Sequence, residues 1–436
     1  MIKLYLKQAW KLLRQNMLFS SMYILGTGMA IAMIMILVII FYIKIAPIYP
    51  ETNRMRTLVA KRAEVVYHKN KGSTSYSFSY QAVKDYFYPL QKAEAVTAVC
   101  LTDEEYPVVK KEGDKNAMPV QVKYTDAGFW KVFAFAFLDG NSYNEADFQS
   151  GLHVAVISES MAKKIFGTIH VAGRFFSLDY MEYKVCGVIR DVSYAMPATF
   201  ADIWIPFTTR QDAFASDQWG EHLLGPMQVY MLAPSAKETG DLRKEVNEVL
   251  RKVNGSQQKF TLSIGGKPDL YWQSILRGYG DGTLDWTLLF KTFGMMILAL
   301  FLVPAVNLAG MLSSRMEKRF SEIGVRKAFG ASNNELVKQI LMENFLLTCL
   351  GGLVGLFLAY ITVLLGRNWI LTLFDTYPGL LPEGVDTFFT PVMLFNPILL
   401  GGALMVCMIL NLLSAIIPLR RSLKKEIVYS LNDKNN

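Results

Sequence analysis

Four long uncharged stretches constrain this chain more than any other feature. They are Gln15–Ile43, Thr292–Ser314, Asn344–Gly366 and Thr387–Leu419, with 29, 23, 23 and 33 residues. A helix crosses the roughly 30 Å hydrocarbon core of a bilayer with about 20 apolar residues, so each stretch is long enough. Charged residues form only 19% of the 436 positions, below the roughly 25% of soluble domains. The sequence therefore predicts a membrane protein and excludes a soluble enzyme and a disordered chain.

Basic residues cluster in three short segments beside these stretches. Residues 1–16, 313–339 and 419–436 carry 15 basic and 5 acidic side chains, whereas the whole chain carries 45 and 37. Short loops rich in Lys and Arg stay in the cytoplasm. We therefore predict a multi-pass protein of the cell inner membrane, with four spans and both termini cytoplasmic. The same distribution makes membrane lipid a partner and argues against nucleic acid.

The spans divide the chain one plus three, around one large domain. The predicted parts are a cytoplasmic amphipathic helix 1–16, span one 17–45, an extracytoplasmic domain 46–284, span two 285–314, a cytoplasmic elbow 315–335, span three 336–366, an extracytoplasmic loop 367–391, span four 392–419 and a cytoplasmic tail 420–436. Pro304 and Pro397 predict a kink or a fixed bend in spans two and four.

The large domain alternates strand-like and helix-like pieces. Val154–Ile157 predicts a buried strand, Ser158 an N-cap with Glu159 in the first helical turn, and Gly167 a left-handed helix end. Phe129–Phe137 is compatible with either helix or strand. The mixture is typical of an α/β or α+β domain, and we assign it as α+β.

Two cysteines, Cys100 and Cys186, fall in this domain. An extracytoplasmic location permits a disulfide between them without requiring it, and two reduced, buried thiols fit the sequence equally well. The four histidines show no metal-ligand spacing, so we predict no metal site.

The segment before the third span predicts a rigid elbow. Charge begins at Arg315, Gly330 is placed to end a short helix, and Ser332 and Glu335 have the spacing of a capping box that starts a new helix. A rigid helix of mixed charge suits contact with a soluble partner. On composition alone, an ordinary juxtamembrane turn is the simpler interpretation.

The same segment carries a family resemblance. Glu322-Ile-Gly-Val-Arg-Lys-Ala-Phe-Gly-Ala331 resembles the FtsX-like permease family, in particular its MacB-type branch. Ala127–Phe133, Ala155–Gly167 and Tyr183–Val192 look like the external domain of that family. Ile417–Leu431 is similar to its ending, with Lys425-Glu426 in place of the usual Asp-Pro.

The resemblance implies the permease subunit of an ABC transporter. The elbow would act as a coupling helix on a separate cytoplasmic ABC ATPase, in a complex with a second permease chain, as homodimer or heterodimer. A periplasmic or outer-membrane partner is also implied. The docking and geometry residues would be Glu317, Arg319, Glu322, Ile323, Gly324, Arg326, Lys327, Ala328 and Gly330.

The sequence contains no G-x-x-x-x-G-K-[ST] phosphate loop, so we expect no ATPase and no catalytic residue in this chain. ATP and Mg²⁺ would belong to the partner ATPase, and no cofactor is expected here. Gly351 and Gly355 in span three predict a helix-packing face of small residues.

Three functional hypotheses follow. The first is a MacB-like permease in which ATP hydrolysis moves the external domain for export. The second keeps the architecture but regulates a cell-wall hydrolase, extracts lipoproteins or senses antimicrobial peptides. The third is a membrane-anchored binding or signalling protein without an ATPase.

Overall fold

The computed structural model describes a defined part of the chain. The described residues are 17–69, 72–101, 107–110, 117–210, 220–277, 285–287, 289–291, 294–295, 298, 325, 329–330, 332–367 and 388–423. The chain divides into two compact units. The first comprises Met1–Tyr42, Asp285–Ile370 and Thr390–Asn436, and the second comprises Ile43–Leu284 and Leu371–Phe389.

The chain enters the second unit from a single long helix, α1, Met17–Ile45. Its apolar sequence has no acidic residue in the first turn and one base, Lys44, in the last. The helix continues without a break across the boundary between Tyr42 and Ile43, where the two units divide.

The second unit is an α+β domain. Its helices are α2 Tyr80–Ala82, α3 Phe129–Val132, α4 Glu145–Gln149, α5 Glu159–Phe166, α6 Thr239–Ser256 and α7 Tyr271–Arg277. Its strands are β1 Thr57–Ala60, β2 Ala63–Tyr67, β3 Ser73–Tyr76, β4 Ala95–Cys100, β5 Val108–Lys110, β6 Ala117–Pro119, β7 Val122–Thr125, β8 Phe137–Gly140, β9 Val154–Ser158, β10 Phe175–Leu178, β11 Met181–Ile189, β12 Ile203–Pro206, β13 Met227–Leu232, β14 Phe260–Ser263 and β15 Asp269–Leu270.

Within the described residues, twelve strands form one mixed sheet. The order is β15-β1-β13-β4-β7-β12-β9-β11-β10-β5-β6, and β8 pairs with β11 outside this path. Two pairs, β9 with β11 and β7 with β12, are parallel. The strands β14, β2 and β3 form a separate antiparallel sheet. One apolar core serves both sheets, and it includes side chains such as Val65, Phe78, Ile157 and Leu262.

Several sequence predictions in this domain are confirmed. The strand predicted over Val154–Ile157 is β9, and the Ser158 hydroxyl accepts a hydrogen bond from the Met161 amide at 3.2 Å to cap α5. Gly167 ends α5 at φ +76°, the left-handed conformation that glycine adopts without a Cβ penalty. The ambiguous stretch Phe129–Phe137 contains both structures, helix α3 and then the first residue of β8.

The first unit contains three more described helices, α8 Asn333–Leu365, α9 Pro391–Leu394 and α10 Pro397–Leu423. Among the described residues, three segments are long and apolar enough to cross a membrane: Ser20–Ile45, Glu335–Leu365 and Pro391–Ile409. Most of the predicted second span lies outside the described residues, so the count of four spans stays a prediction.

Within the predicted span 392–419, α9 and α10 are separated at Phe395 and Asn396, while Pro391–Ile409 as a whole is long and apolar enough to cross a membrane. Pro397 lies at the start of α10 and does not bend a continuous helix. Proline suits a first helical position, where no amide donor is needed. The Asn396 side chain also accepts from the Leu399 amide at 3.1 Å, as an N-cap residue does.

Candidate functional site

Most of the predicted docking residues fall outside the part of the chain that the structure describes. These are Glu317, Arg319, Glu322, Ile323, Gly324, Arg326, Lys327 and Ala328. Of the elbow, the structure describes Val325, Phe329, Gly330 and residues 332–335. Val325 is helical, and its carbonyl accepts from the Phe329 amide at 3.1 Å. The Phe329 side chain is 89% exposed, which leaves a large apolar ring on the surface of this single chain.

The elbow ends where the sequence places its turn. Gly330 has φ +89°, and a Cβ added there would meet nothing within 4 Å. The glycine is therefore required by backbone conformation and not by lack of space. Two residues later the Ser332 hydroxyl accepts from the Glu335 amide at 3.3 Å, and the Glu335 carboxylate accepts from the Ser332 amide at 3.1 Å. This reciprocal capping box starts α8 at a defined residue.

The small residues of α8 contact α1 inside the first unit. A Cβ added at Gly355 would lie 2.6 Å from the Gly28 carbonyl oxygen, and one at Gly351 would lie 3.0 Å from Thr27 Cβ. We name Gly28, Gly351 and Gly355 the glycine contact. Small residues of this kind let two membrane helices approach until their backbones touch.

A buried group of polar side chains occupies the α+β domain beside the end of α1. We name Glu51, Arg54, Met196, Thr199 and Tyr271 the junction cluster; none of its members is more than 5% exposed. One Glu51 oxygen accepts from the Thr199 hydroxyl at 2.9 Å. The other accepts from the Tyr271 hydroxyl and from Arg54 Nε at 2.8 Å.

Arg54 binds the end of α1 through its remaining nitrogens. Its Nη1 donates to the Ile43 carbonyl at 2.7 Å and to the Ala46 carbonyl at 2.8 Å. The last carbonyls of a helix have no partner within the helix, and a cation there also opposes the negative end of the helix dipole. Arg54 Nη2 lies 2.7 Å from Glu51 and donates to Met196 Sδ at 2.9 Å. The guanidinium also lies over the Tyr271 ring, 4.8 Å from its centroid.

The charges of the junction cluster support each other. Burial opposes the charged form of Arg54, but Glu51 and Tyr271 together outweigh that effect and raise the pKa of Arg54 above its ordinary value. Burial and then the Glu51 carboxylate raise the pKa of the Tyr271 hydroxyl well above its ordinary value. Tyr271 therefore remains a hydrogen-bond donor throughout the physiological pH range.

The loop 193–200, which supplies Met196 and Thr199, has further anchors. Lys123 Nζ donates to the Pro197 carbonyl at 2.8 Å and to the Ala198 carbonyl at 3.1 Å. Burial lowers the pKa of Lys123 to about 8. The Ser193 hydroxyl donates to the Phe388 carbonyl at 2.6 Å. The loop thus connects the junction cluster to the residues just before α9.

Helix α7, which begins with Tyr271, is held by two charged contacts. Arg277 forms a two-pronged ion pair with Asp269, with nitrogen–oxygen distances of 2.5 and 2.6 Å and both side chains buried. Gln273 accepts from Arg243 at 3.0 Å through its side-chain oxygen. The direction of α7 is therefore fixed from β15 and from α6.

A second buried carboxylate, Asp126, lies apart from the junction cluster, beside a cleft of about 700 Å³. It accepts from the Thr97 hydroxyl at 2.6 Å and the Tyr88 hydroxyl at 2.6 Å. The amides of Ala98 and Phe129 donate to it at 2.7 and 3.0 Å. Burial outweighs these four donors and raises the pKa of Asp126 to about 6. Asp126 joins β4, the turn after β7 and the start of α3.

Neither cysteine of the domain forms a disulfide with another described residue. Cys100 lies on β4, while Cys186 lies on β11 and donates to the Ala155 carbonyl at 3.2 Å. Of the two arrangements left open by the sequence, the structure has the reduced pair. Burial raises the pKa of Cys186 to about 12, which keeps that thiol protonated. Within the described residues, no group of three metal-ligating side chains comes together.

Comparison with known proteins accounts for this architecture. Residues 20–249 match the MacB-like periplasmic core domain, and residues 293–427 match the FtsX-like permease C-terminal domain. The chain belongs to the MacB-type, FtsX-like family of ABC transporter permeases. The α+β domain is the periplasmic-type domain of that family, as the resemblance implied.

Relatives in this permease family are distant. YknZ of Bacillus subtilis, an uncharacterized ABC transporter permease, is 23% identical over 233 residues, which are 53% of this chain and 54% of YknZ. The pyoverdine export ATP-binding/permease protein PvdT of Pseudomonas fluorescens is 24% identical over 239 residues, 54% of this chain and 34% of PvdT. The matched part therefore spans about half of one relative and a third of the other. The crystal structure of the YknZ extracellular domain aligns with a TM-score of 0.32 and 17% identity, over 46% of this chain and 98% of that domain.

Sequence reasoning missed the buried carboxylates Glu51 and Asp126 of the permease. Glu51 and Arg54 form an acid–base pair three residues apart directly after the first apolar stretch, which is a weak signal. Asp126 precedes Ala127–Phe133, one of the segments that resembles the family, and an acid before a short helix is a capping signal.

Proposed function

We propose that this chain is the transmembrane subunit of an ABC transporter that receives motion from a separate cytoplasmic ATPase and transmits it to its periplasmic-type domain. The family membership supports the transporter class. Export driven by mechanotransmission is the specific role that we propose. ATP and Mg²⁺ would be bound by the ATPase subunit, in a complex with a second permease chain in the inner membrane.

The observation that carries this proposal is the defined end of the elbow. The charged motif Glu322–Ala331 precedes α8, Gly330 takes φ +89°, and the Ser332–Glu335 capping box fixes the first turn of α8. A force applied to such an elbow would enter α8 close to the turn, because Ser332, the N-cap of α8, follows Gly330 by only two positions. The 89% exposed Phe329 ring supplies apolar area for contact with a soluble partner.

The docking residues follow from the motif. Glu322 and Arg326 are four residues apart and would share one face of a helix. We propose that this face, with Glu317, Arg319, Ile323, Gly324, Lys327 and Ala328, contacts the ATPase. The glycines would set the geometry of the elbow and make no polar contact.

A pull-down from native membranes in mild detergent tests the proposal. The tagged wild-type chain is expected to retain a stoichiometric ATPase, and the double variant Glu322→Ala, Arg326→Ala is expected to lose it while still inserting into the membrane. The control is Glu248→Ala, Arg251→Ala, which removes an exposed acid–base pair on α6 whose charged atoms are 3.8 Å apart.

The outcomes separate the three hypotheses. Equal recovery of the ATPase by the elbow variant and the control would remove the docking role. Recovery of an external hydrolase or lipoprotein together with the ATPase would favour the regulatory or extraction role over export. Wild-type recovery of an external binding protein without any ATPase would favour the anchored receptor.

A further inference from the structure

The junction cluster joins chain segments that lead toward three of the predicted spans. Arg54 binds the Ile43 carbonyl in the last turn of α1 and the Ala46 carbonyl directly after it, and α1 contains the predicted first span. Tyr271 is the first residue of α7, which precedes the predicted second span, and its hydroxyl binds Glu51. The loop 193–200 reaches Glu51 through Thr199 and reaches Phe388, just before α9, through Ser193.

Stability alone is a poor reason to bury these charges. Replacing a buried ion pair with apolar side chains of similar volume is often neutral or stabilising. A buried pair does, however, enforce one geometry, because its partners lose a great deal of free energy when they separate. The guanidinium is suited to this task since its donors point in fixed directions within one plane.

The bonds of the cluster form one connected network. Arg54 uses Nε and Nη2 on Glu51, while Nη1 binds the Ile43 carbonyl in the last turn of α1. Displacement of that turn would therefore pull the guanidinium from Glu51 unless Glu51 follows. Glu51 in turn binds Thr199 and Tyr271 through its two oxygens. The network thus links the end of α1 to the loop 193–200 and to α7.

We propose that Glu51 and Arg54 are positioning residues that transmit displacement of α1 to the loop 193–200 and to α7, so that the segments leading to three spans move together. This inference rests on the proposed permease function and adds to it the place where motion enters the periplasmic-type domain.

Hydrogen–deuterium exchange of the full complex tests the role. The permease is purified with its ATPase, reconstituted in lipid nanodiscs, and compared without nucleotide and with ATP plus vanadate. Peptides from β1 to β15 report the nucleotide-dependent change in the domain. The rate of ATP hydrolysis and the amount of bound ATPase are measured on the same samples.

Three variants weaken the cluster by different amounts. Glu51→Gln removes the charge, and Arg54→Lys keeps the charge but cannot reach Glu51 and both carbonyls with one ammonium group. Tyr271→Phe removes only the bond to Glu51 and keeps the ring under Arg54, so it remains informative if the other two fold poorly. Asp126→Asn is the matched control, because it neutralises a buried carboxylate with four donors that has no bond to α1 or α7 among the described contacts.

The expected result is a separation of hydrolysis from domain motion. The three cluster variants should keep the bound ATPase and its hydrolysis rate. In Glu51→Gln and Arg54→Lys, the nucleotide-dependent difference in hydrogen exchange should fall about fivefold or more, because a typical coupling free energy between two sites corresponds to at least that factor. The Asp126→Asn control should keep the wild-type difference even if it unfolds at lower temperature.

Two results would overturn the inference while leaving the permease function intact. One is a wild-type exchange difference in Glu51→Gln and Arg54→Lys. The other is an equal loss in Asp126→Asn, which would make the effect one of stability. A wild-type complex without an ATPase, or without any nucleotide-dependent exchange, would overturn the proposed function and this inference together.

Discussion

Helix α1 is held in two regions by different chemistry. In its middle, the glycine contact brings α1 and α8 together by shape, with Gly28 against Gly351 and Gly355. At its end, the junction cluster holds it by charge and directed hydrogen bonds to Arg54. Packing between small residues in a membrane holds two helices close together by shape. A buried ion pair holds its partners in one geometry, because breaking it leaves a charge without its partner, so we expect the junction cluster to be the more sensitive of the two regions to a single substitution.

Removing the cation at the junction should have the largest effect on stability. Arg54→Met leaves the Glu51 carboxylate buried without its counter-charge, and breaking a buried pair in this way costs about 3–5 kcal/mol. The thermal midpoint of the purified protein in detergent should fall sharply, whereas the exposed replacement Arg251→Met should leave it unchanged. Equal midpoints for the two variants would mean that the end of α1 is held by other contacts.

The Asp126 carboxylate can be compared with Glu51, because it is also buried but has no counter-charge among its described bonds. Its pKa of about 6 in the folded chain lies above the ordinary 3.8, so the folded state binds more protons between these pH values. The stability contributed by this group is therefore complete below pH 3.8 and lost as the pH rises through 6, by about 3 kcal/mol at most.

The measurement is the thermal midpoint of wild type minus that of Asp126→Asn from pH 3.5 to 7. The difference should decrease across this range, because the variant lacks the titrating carboxyl. A difference that increases with pH would show that the four donors to Asp126 outweigh its burial.

A larger side chain in the glycine contact tests the packing of α1 against α8. Gly355→Ala places a methyl group 2.6 Å from the Gly28 carbonyl, and such overpacking costs about 1–3 kcal/mol. The control Gly402→Ala on α10 meets nothing within 4 Å and should be neutral or slightly stabilising. Detergent-stable yield and thermal midpoint would both report the difference. A midpoint for Gly355→Ala at or above that of Gly402→Ala would contradict a close α1–α8 contact.

The smallest expected effect is at the start of α8. Gly330→Ala forces a side chain into φ +89° and should cost about 1 kcal/mol, whereas Gly330→Asn should cost less because asparagine tolerates the left-handed region. If the elbow transmits force, the nucleotide-dependent difference in hydrogen exchange per ATP hydrolysed should fall more in Gly330→Ala than in Gly330→Asn. Identical coupling in the two variants would remove the need for a fixed turn.

Local signals in the sequence predicted the elements that depend on neighbouring residues. Ser158 and Gly167 bound α5, and the capping box Ser332–Glu335 starts α8, because these motifs are complete within a few positions. The family motif predicted the class of protein for the same reason. The interruption at Asn396 was not predicted, because apolar residues flank it on both sides. Pro397 was compatible with either a bend in one helix or the start of a new helix, so it did not identify Asn396 as an N-cap.

The junction cluster lay beyond sequence reasoning for a physical reason. Glu51 is bonded to Thr199 and Tyr271, which are 148 and 220 positions away, and no spacing rule connects residues so far apart. The contribution of such a charged pair to the structure depends on whether it is buried. An acid and a base three residues apart on a surface would contribute little, while the same pair inside the domain governs how α1 ends.

The short path from the end of α1 to Arg54 has a consequence for the chain between them. Arg54 follows Ile43 by 11 residues and Ala46 by 8, yet its Nη1 reaches both carbonyls. The intervening residues must therefore fold back on the end of α1, and Glu51, which binds Arg54, lies within the same stretch. One inserted or deleted residue between Ala46 and Arg54 would displace the guanidinium by up to about 3.5 Å, which is more than a hydrogen bond tolerates. The number of residues in this stretch is therefore constrained as well as their identity.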